Sequence, residues 1–224
     1  MTNLFDAILA ADIDLFLFLN GINSSFWDIF FYLFSARTTF LLFYIALIYF
    51  VIKTSKKRAI WVILSIIVVI ILSDQVTSSI LKPWIQRFRP SRDPSLEGIV
   101  HLVFGKRGGL YGFASSHAAN TFGVGTLIAL IYRNKLVTSA VIIWAIVTSY
   151  SRIYLGVHYP LDVLCGGAIG AFFAAMIYLT GLKTNLILKK QSITATNAYI
   201  VSGAFLLTVI IFLIMSTELA FLAR

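Results

Sequence analysis

Residues 150–162 read YSRIYLGVHYPLD, a turn that sets Arg152, His158 and Asp162 between two apolar runs, 136–152 and 160–181. Each run approaches the roughly 20 residues needed to cross the hydrocarbon core of a bilayer. A polar, charged turn between two such runs reads as the tip of a helical hairpin at a membrane boundary. Four further runs of the same character, 37–53, 58–80, 116–132 and 196–217, bring the expected crossings to six. The fold class this predicts is an all-α integral membrane protein, a six-transmembrane-helix bundle with an N-terminal interfacial amphipathic helix. A single domain is expected over residues 1–224.

Composition agrees with that class. The mean hydropathy is +0.92, with 59% hydrophobic and only 12% charged residues, against about 25% charged in soluble domains. The one cysteine, Cys165, rules out an internal disulfide and sits among small apolar residues, where a thiol packs as a small hydrophobe. No Cys/His cluster has the spacing of a metal site, so neither metal nor cofactor is expected. The first twenty residues hold Asp6, Asp12 and Asp14 and no Lys or Arg, unlike the positive start of a secretory signal. Residues 3–20 read instead as the amphipathic helix at the membrane surface, ended by the polar turn Asn20–Ser24. The aromatic segment 25–36, SFWDIFFYLFSA, either extends the first crossing or lies in the interface.

The loops divide by charge. The turns after the first, third and fifth crossings hold Lys53, Lys56, Lys57, Arg58, Arg133, Lys135, Lys183, Lys189 and Lys190 and no acid. The other side holds the remaining nine of the 18 bases and eight of the nine acids, Asp74 lying within the second crossing. The formal charge of +9 therefore belongs to one face. Short basic loops stay cytoplasmic, so both termini and the long loop 82–115 are expected to face away from the cytoplasm. Bases scattered over short turns do not suit nucleic-acid binding, and no nucleic-acid partner is expected.

Two crossings carry internal features. The second ends in Ser73, Asp74, Gln75, Thr77, Ser78 and Ser79 before Lys82. Asp74, Ser78 and Lys82, four apart, share one helical face; this is either a polar packing seam or the wall of a cavity. In the fifth, Gly166 with Gly170 and Gly167 with Ala171 are small residues four apart, a spacing that lets helices approach closely.

Three polar clusters fall on the non-cytoplasmic side: Lys82–Pro90 (KPWIQRFRP), Ala114–His117 (ASSH) and Ser151–Asp162. Such a set suits a phosphate dianion, since arginine gives bidentate contacts and lysine a point charge. Ser115 or Ser116 can cap the helix that follows, whose free N–H groups point at an anion. His158 and Asp162 are four apart, with Pro160 suited to a first helical turn. In such a turn the carboxylate holds one ring nitrogen and leaves the other free to attack phosphorus. His117, from another helix, could protonate the leaving oxygen. Each residue has a plain alternative: a single Arg or Lys near a helix end snorkels to the headgroups, His117 alone caps a helix, and His158 with Asp162 alone is a structural pair. Their coincidence on one side favours chemistry. The loop 91–113 joins the first two clusters as a specificity lip, in which Lys106, Arg107, Gly108 and Gly109 either meet a second phosphate or headgroup or are exposed interfacial charge. His101 lies in no cluster and reads as a surface residue.

The clusters resemble the three signature motifs of the type 2 phosphatidic acid phosphatase (PAP2) superfamily, which is also similar to the vanadium haloperoxidases. Lys82, Arg89 and Pro90 match its first motif, and Ser151, Arg152, His158 and Asp162 match its third in full. The second motif, Pro-Ser-Gly-His, stands here as Ala114-Ser115-Ser116-His117. The resemblance covers about residues 60–181. It implies a six-helix membrane bundle and metal-independent dephosphorylation through a phosphohistidine on His158, with His117 as general acid and Asp162 orienting His158. Lys82, Arg89, Ser115, Ser116 and Arg152 are the implied phosphate-binding group. A serine at the glycine position would be strained if the family's turn needs a positive φ, which predicts a retuned phosphate contact at Ser116.

The function expected is a membrane lipid phosphatase of a bacterial inner membrane, acting on a lipid phosphate monoester or diphosphate with its site on the periplasmic side. Undecaprenyl diphosphate, the phosphorylated glucosamine of lipid A, and phosphatidylglycerophosphate or phosphatidic acid are the lipid classes considered, and family breadth favours a polyprenyl diphosphate. Alternatives on the same residues are a lipid phosphotransferase, a non-catalytic lipid-binding or flipping protein and, more remotely, a vanadate-dependent oxidase.

Overall fold

A computed structural model describes residues 4–187 and 193–222; Lys189 and Lys190 of the predicted basic turns, and residue 3 of the predicted N-terminal helix, lie outside them. The described chain is helical, with a single bridge between Phe88 and Tyr111 as its only ladder pairing. Its helices are α1 (Leu4–Gly21), α2 (Ser25–Ser35), α3 (Leu41–Ser55), α4 (Ala59–Asp74), the short α5 (Lys82–Ile85), α6 (Ser116–Tyr132), α7 (Lys135–Tyr154), α8 (Pro160–Lys183) and α9 (Ala195–Leu222).

Four stretches of the described residues are long and apolar enough to cross a membrane: Arg37–Ile85, Lys135–Tyr154, Pro160–Lys183 and Ala195–Leu222. The first is 49 residues long and reverses at Lys56, whose φ of 49° breaks the helix and lets α3 and α4 pack on each other. α6, 17 residues long, is enclosed by α4, α7 and α8. It is rich in Ala and Gly, as a helix surrounded on several sides must be to let its neighbours close in.

The tightest packing is between α6 and α8. A Cβ on Gly170 would collide with the Ala119 carbonyl oxygen, and one on Gly166 with that of Ser115. Close backbone approach therefore carries the α6–α8 seam, in the way small residues four apart allow. An aromatic core fills the space between α2, α3, α7 and α9, where Phe34, Phe40, Phe43, Trp144, Phe205 and Phe212 interlock in edge-to-face and tilted pairs. At the end opposite the three polar clusters, Ser55 and Tyr132 share a 2.8 Å hydrogen bond and Arg133 donates to the Tyr178 hydroxyl at 3.1 Å.

The N-terminal helix differs from the amphipathic expectation. α1 buries Asp12, Phe16 and Asn20, one face at a spacing of four, while Leu4, Phe5, Ile8, Leu15 and Phe18 are exposed. Its polar residues therefore point into the protein as well as outward, because partners wait there. Asn20 Nδ2 donates to the carbonyls of His101, Ile153 and Tyr154, and Asn20 Oδ1 accepts from the His101 N–H. His101 is likewise no plain surface residue: its Nε2 lies 2.7 Å from Asp28 Oδ1, which also accepts from the Tyr154 hydroxyl. Segment 25–36 forms its own short helix, α2, capped by Ser24 and ended at Ala36.

Because the α6–α8 seam has no room for a side chain, Gly170→Ala should lower stability by about 1–3 kcal/mol or more. Gly203→Ala on α9, where a Cβ meets nothing within 4 Å, should be neutral or slightly stabilising. Thermal unfolding of both variants in one detergent checks the pair.

Candidate active site

Three chain segments bring the clusters together at the ends of α4, α6, α7 and α8. The first is a distorted continuation of α4. Residues Gln75–Leu81 form a π-helical turn that leads into α5, a widening that is frequent at functional sites. On it, Lys82 Nζ donates to Ser116 Oγ at 2.7 Å and Ser78 Oγ at 3.3 Å, and the two hydroxyls are 2.8 Å apart.

The second is the extended strip after α5. Gln86, at φ 52°, turns the chain out of the helix. The Arg89 N–H then bonds to the Leu110 carbonyl (3.1 Å) and the Gly112 N–H to the Arg87 carbonyl (2.9 Å). In extended backbone, alternate side chains share a face. Arg87 and Arg89 therefore both reach the site, while Phe88 turns away to meet Tyr111. Gly112 must be small: a Cβ there would lie 2.9 Å from Asp162 Oδ2 and 3.3 Å from Arg89 Cγ.

The third is the turn Leu155–Tyr159. Gly156 has φ +69° and sits so close to the loop above that a Cβ would lie 2.7 Å from Val100 Cγ1 and 2.9 Å from the His101 carbonyl. Pro160 opens α8, and Asp162 accepts from the Tyr159 N–H at 3.0 Å. That fixes the carboxylate 3.3 Å from His158 Nδ1. On the other side of the ring, Arg89 Nη1 lies 2.9 Å from His158 Nε2. A guanidinium can only donate, so Nε2 must be the unprotonated nitrogen and Nδ1 carries the proton toward Asp162. The tautomer that leaves a lone pair on Nε2 is thus set by its two neighbours. Burial first, and then the charges of Arg89, Arg152 and Lys82, hold His158 well below the ordinary histidine range. Burial also lowers Arg89, partly offset by Asp162.

These groups surround a cavity of about 600 Å³ lined by Arg37, Asp74, Gln75, Ser78, Lys82, Arg89, Ser116, His117, Asn120, Arg152 and His158, with Ile70 and Ile71. Four cations thus face it against one carboxylate, Asp74. Among the described residues, Nε of Arg89 and Nε of Arg152 are buried N–H groups with no partner in the protein, and Arg152 is otherwise held by donating Nη1 to Ser35 Oγ. Unpartnered guanidinium donors beside a neutral imidazole make an arrangement able to receive an anion. No group of three or more His, Cys, Asp or Glu among the described residues is arranged to hold a metal ion.

Of the predicted site residues, Lys82, Arg89, Ser116, His117, Arg152 and His158 line one cavity. Asp162 stands behind His158, fully buried. Ser115 does not line the cavity: it is fully buried and its hydroxyl caps α6, accepting from the Ala118 N–H at 3.5 Å. Ser116 is not strained, because it begins the helix with ordinary backbone and shows no positive φ; its hydroxyl steers Lys82 instead. Asp74 and Ser78 belong to the cavity wall. Lys106 and Arg107 are exposed and stay out of the cavity, Lys106 lying over the Tyr32 ring at 4.9 Å. Sequence reading passed over Arg37 and Asn120, which lie in no motif, and the ion pairs of Arg87 with Asp12 and Asp162.

A second, apolar cavity of about 480 Å³ runs between α3, α4, α6 and α7. Tyr44, Leu47, Ile63, Ile67, Val124 and Trp144 are among its walls, and it meets the polar cavity at Arg37, Ile70, His117 and Asn120.

Comparison with known proteins agrees with this geometry. Residues 62–186 match the family model described as the PAP2 superfamily. The chain is 36% identical over 174 residues to a lipid A 4'-phosphatase of Bacteroides thetaiotaomicron, covering 77% of each chain. It is 38% identical over 174 residues to a lipid A 4'-phosphatase of Porphyromonas gingivalis, covering 76% of this chain and 73% of that one. The crystal structure of Aquifex aeolicus LpxE superposes with a TM-score of 0.59 at 25% identity, over 74% of this chain and 93% of that one. A match over more than half the chain, on the segment that supplies every residue lining this cavity except Arg37, makes the protein a member of the PAP2 superfamily.

Proposed function

We propose that this membrane lipid phosphatase removes a phosphate monoester from a lipid A-type glycolipid, through a phosphohistidine on His158. The observation that carries the reading is one cavity in which four cations and two imidazoles converge and which opens onto an apolar groove. The polar part suits a phosphate and the apolar part a lipid chain, with His117 at the junction where the ester oxygen would lie. The lipid A assignment, in place of the polyprenyl diphosphate favoured by family breadth, rests on the two relatives matched over about three quarters of the chain.

The chemistry balances as two displacements. His158 Nε2 attacks phosphorus, an N–P bond forms, and the bond to the ester oxygen breaks as His117 delivers a proton to that oxygen. The lipid alcohol leaves. Water then attacks the phosphohistidine, giving a proton to His117 while the N–P bond breaks, and inorganic phosphate is released. Lys82, Arg89 and Arg152 neutralise the phosphoryl oxygens, work that is mostly positioning and charge stabilisation. Arg89 must turn from Nε2 to the phosphate when substrate arrives, which frees the nucleophile as the anion docks.

Six crossings, with the site away from the cytoplasm in a bacterial inner membrane, complete the proposal. The basic ends of α3, α4, α6, α7 and α8 lie opposite the cavity, and basic short loops remain cytoplasmic. One catalytic domain then spans the chain, its motif-bearing core at about 60–181.

A phosphate-release panel in detergent tests the substrate. Lipid A phosphate should be hydrolysed at least about tenfold faster, in kcat/KM, than undecaprenyl diphosphate or phosphatidylglycerophosphate, a difference of about 1.4 kcal/mol in transition-state binding. Preference for the polyprenyl diphosphate would overturn the lipid A reading. His158→Asn should abolish release and acid-labile labelling of the protein by substrate phosphate, whereas product carrying phosphate on an added alcohol would reveal a transferase. Activity should persist in chelator, since side-chain cations supply the positive charge.

The ring of His158 offers an independent check. A free histidine, with a pKa near 6.5, is mostly protonated at pH 6. With its folded-state value held well below that, His158 should show the nitrogen NMR shifts of a neutral, Nδ1-protonated ring at pH 6.

A further inference from the structure

α1 lies wholly outside the segment that matches the family, residues 62–186, yet it sends a carboxylate to the active site. Asp12 is only 4% exposed, and a buried charge is costly unless paired and hydrogen-bonded. Its partners are specific. Asp12 Oδ2 accepts from Arg87 Nη2 at 2.7 Å and Oδ1 accepts from the Leu161 N–H at 2.9 Å, one of the free donors in the first turn of α8. The Arg87 guanidinium lies over the Tyr159 ring, its Cζ 4.0 Å from the centroid. The other arm of its fork, Nη1, donates to Asp162 Oδ1 at 3.1 Å. Asp162 Oδ2 is thereby left for the Tyr159 N–H and His158 Nδ1.

Resting on the reading of His158 as nucleophile, we propose that Arg87 is a positioning residue for the His158–Asp162 dyad, locked in place by Asp12 of the N-terminal helix. A planar guanidinium offers two parallel donors in a fixed geometry. With one arm anchored on Asp12 and the face held by Tyr159, the second arm can meet Asp162 in one orientation only. That orientation turns the remaining carboxylate oxygen to Nδ1 and so fixes both the tautomer and the aim of Nε2. Arg87 is not among the residues lining the phosphate cavity, so it acts through the dyad and not on substrate. α1 is then part of the catalytic apparatus.

Kinetics on a lipid phosphate in detergent separate this role from others. Arg87→Gln should lower kcat about 10–100-fold, the usual range for losing a group that orients a reacting residue, with KM changed less than about threefold. Arg87→Lys, which keeps one cationic donor, should recover part of the loss, and Asp12→Asn should cost about 3–10-fold in kcat. In the Arg87→Gln background, Asp12→Asn should cost less than about twofold more, because Asp12 acts through Arg87. Wild-type kcat in Arg87→Gln would overturn the proposal. So would a raised KM at unchanged kcat, or losses that multiply in full. If Arg87→Gln does not accumulate, Arg87→Lys alone and combined with Asp12→Asn supply the same comparison. A His158→Ala protein that still hydrolyses the lipid would sink the nucleophile reading, whatever Arg87 does.

Discussion

A fully buried carboxylate governs the architecture of this site. Asp162 has no exposure to solvent, and an isolated carboxylate in such a place would be protonated or would destabilise the fold. It is kept by one guanidinium and one backbone N–H, and it hands its remaining capacity to His158 Nδ1. From that arrangement follow the proton on Nδ1 and the lone pair on Nε2, while burial and the surrounding cations keep the ring neutral. The positive field that would repel a protonated imidazole is the same field that attracts a phosphate.

Convergence depends on backbone proximity as much as on charge. His117 comes from the start of α6 and His158 from just before α8, helices that meet through glycine. The Ser115 N–H also donates to the Asp162 carbonyl at 2.9 Å, tying the two helix starts together. A wider seam would separate the two imidazoles. The bulky aromatics collect on the far side of the bundle, between α2, α3, α7 and α9, where they support α7 and leave α6 free to press against α8.

The polar and apolar cavities adjoin each other. Arg37, Ile70, His117 and Asn120 belong to both, so the polar and apolar spaces meet beside His117. Ser116 shows how a departure from a family motif can be absorbed. Its hydroxyl lies 2.7 Å from Lys82 Nζ and fastens that cation to the rim of the cavity, a contact a glycine has no atom to make.

Local sequence carried the apolar runs, the loop charges, and the spacings from Lys82 to Pro90 and from Ser151 to Asp162, because those features depend only on hydropathy, helical period and residue type. The helix starts at Ser116 and Pro160 followed from capping chemistry in the same way. What depends on distant chain did not show. Nothing near Asp12 reveals that it pairs with Arg87, 75 residues away, and an aspartate in an apolar helix reads as its solvent side until its partner is seen. Arg37 and Asn120 enter the cavity through packing alone, and Ser115 leaves it because its hydroxyl is used up in capping. Sequence by itself therefore determined the helices, their membrane character and the chemical inventory. The tertiary structure decided which charges meet, since a buried ion pair is set by the geometry of two chain segments and by no property of either one alone.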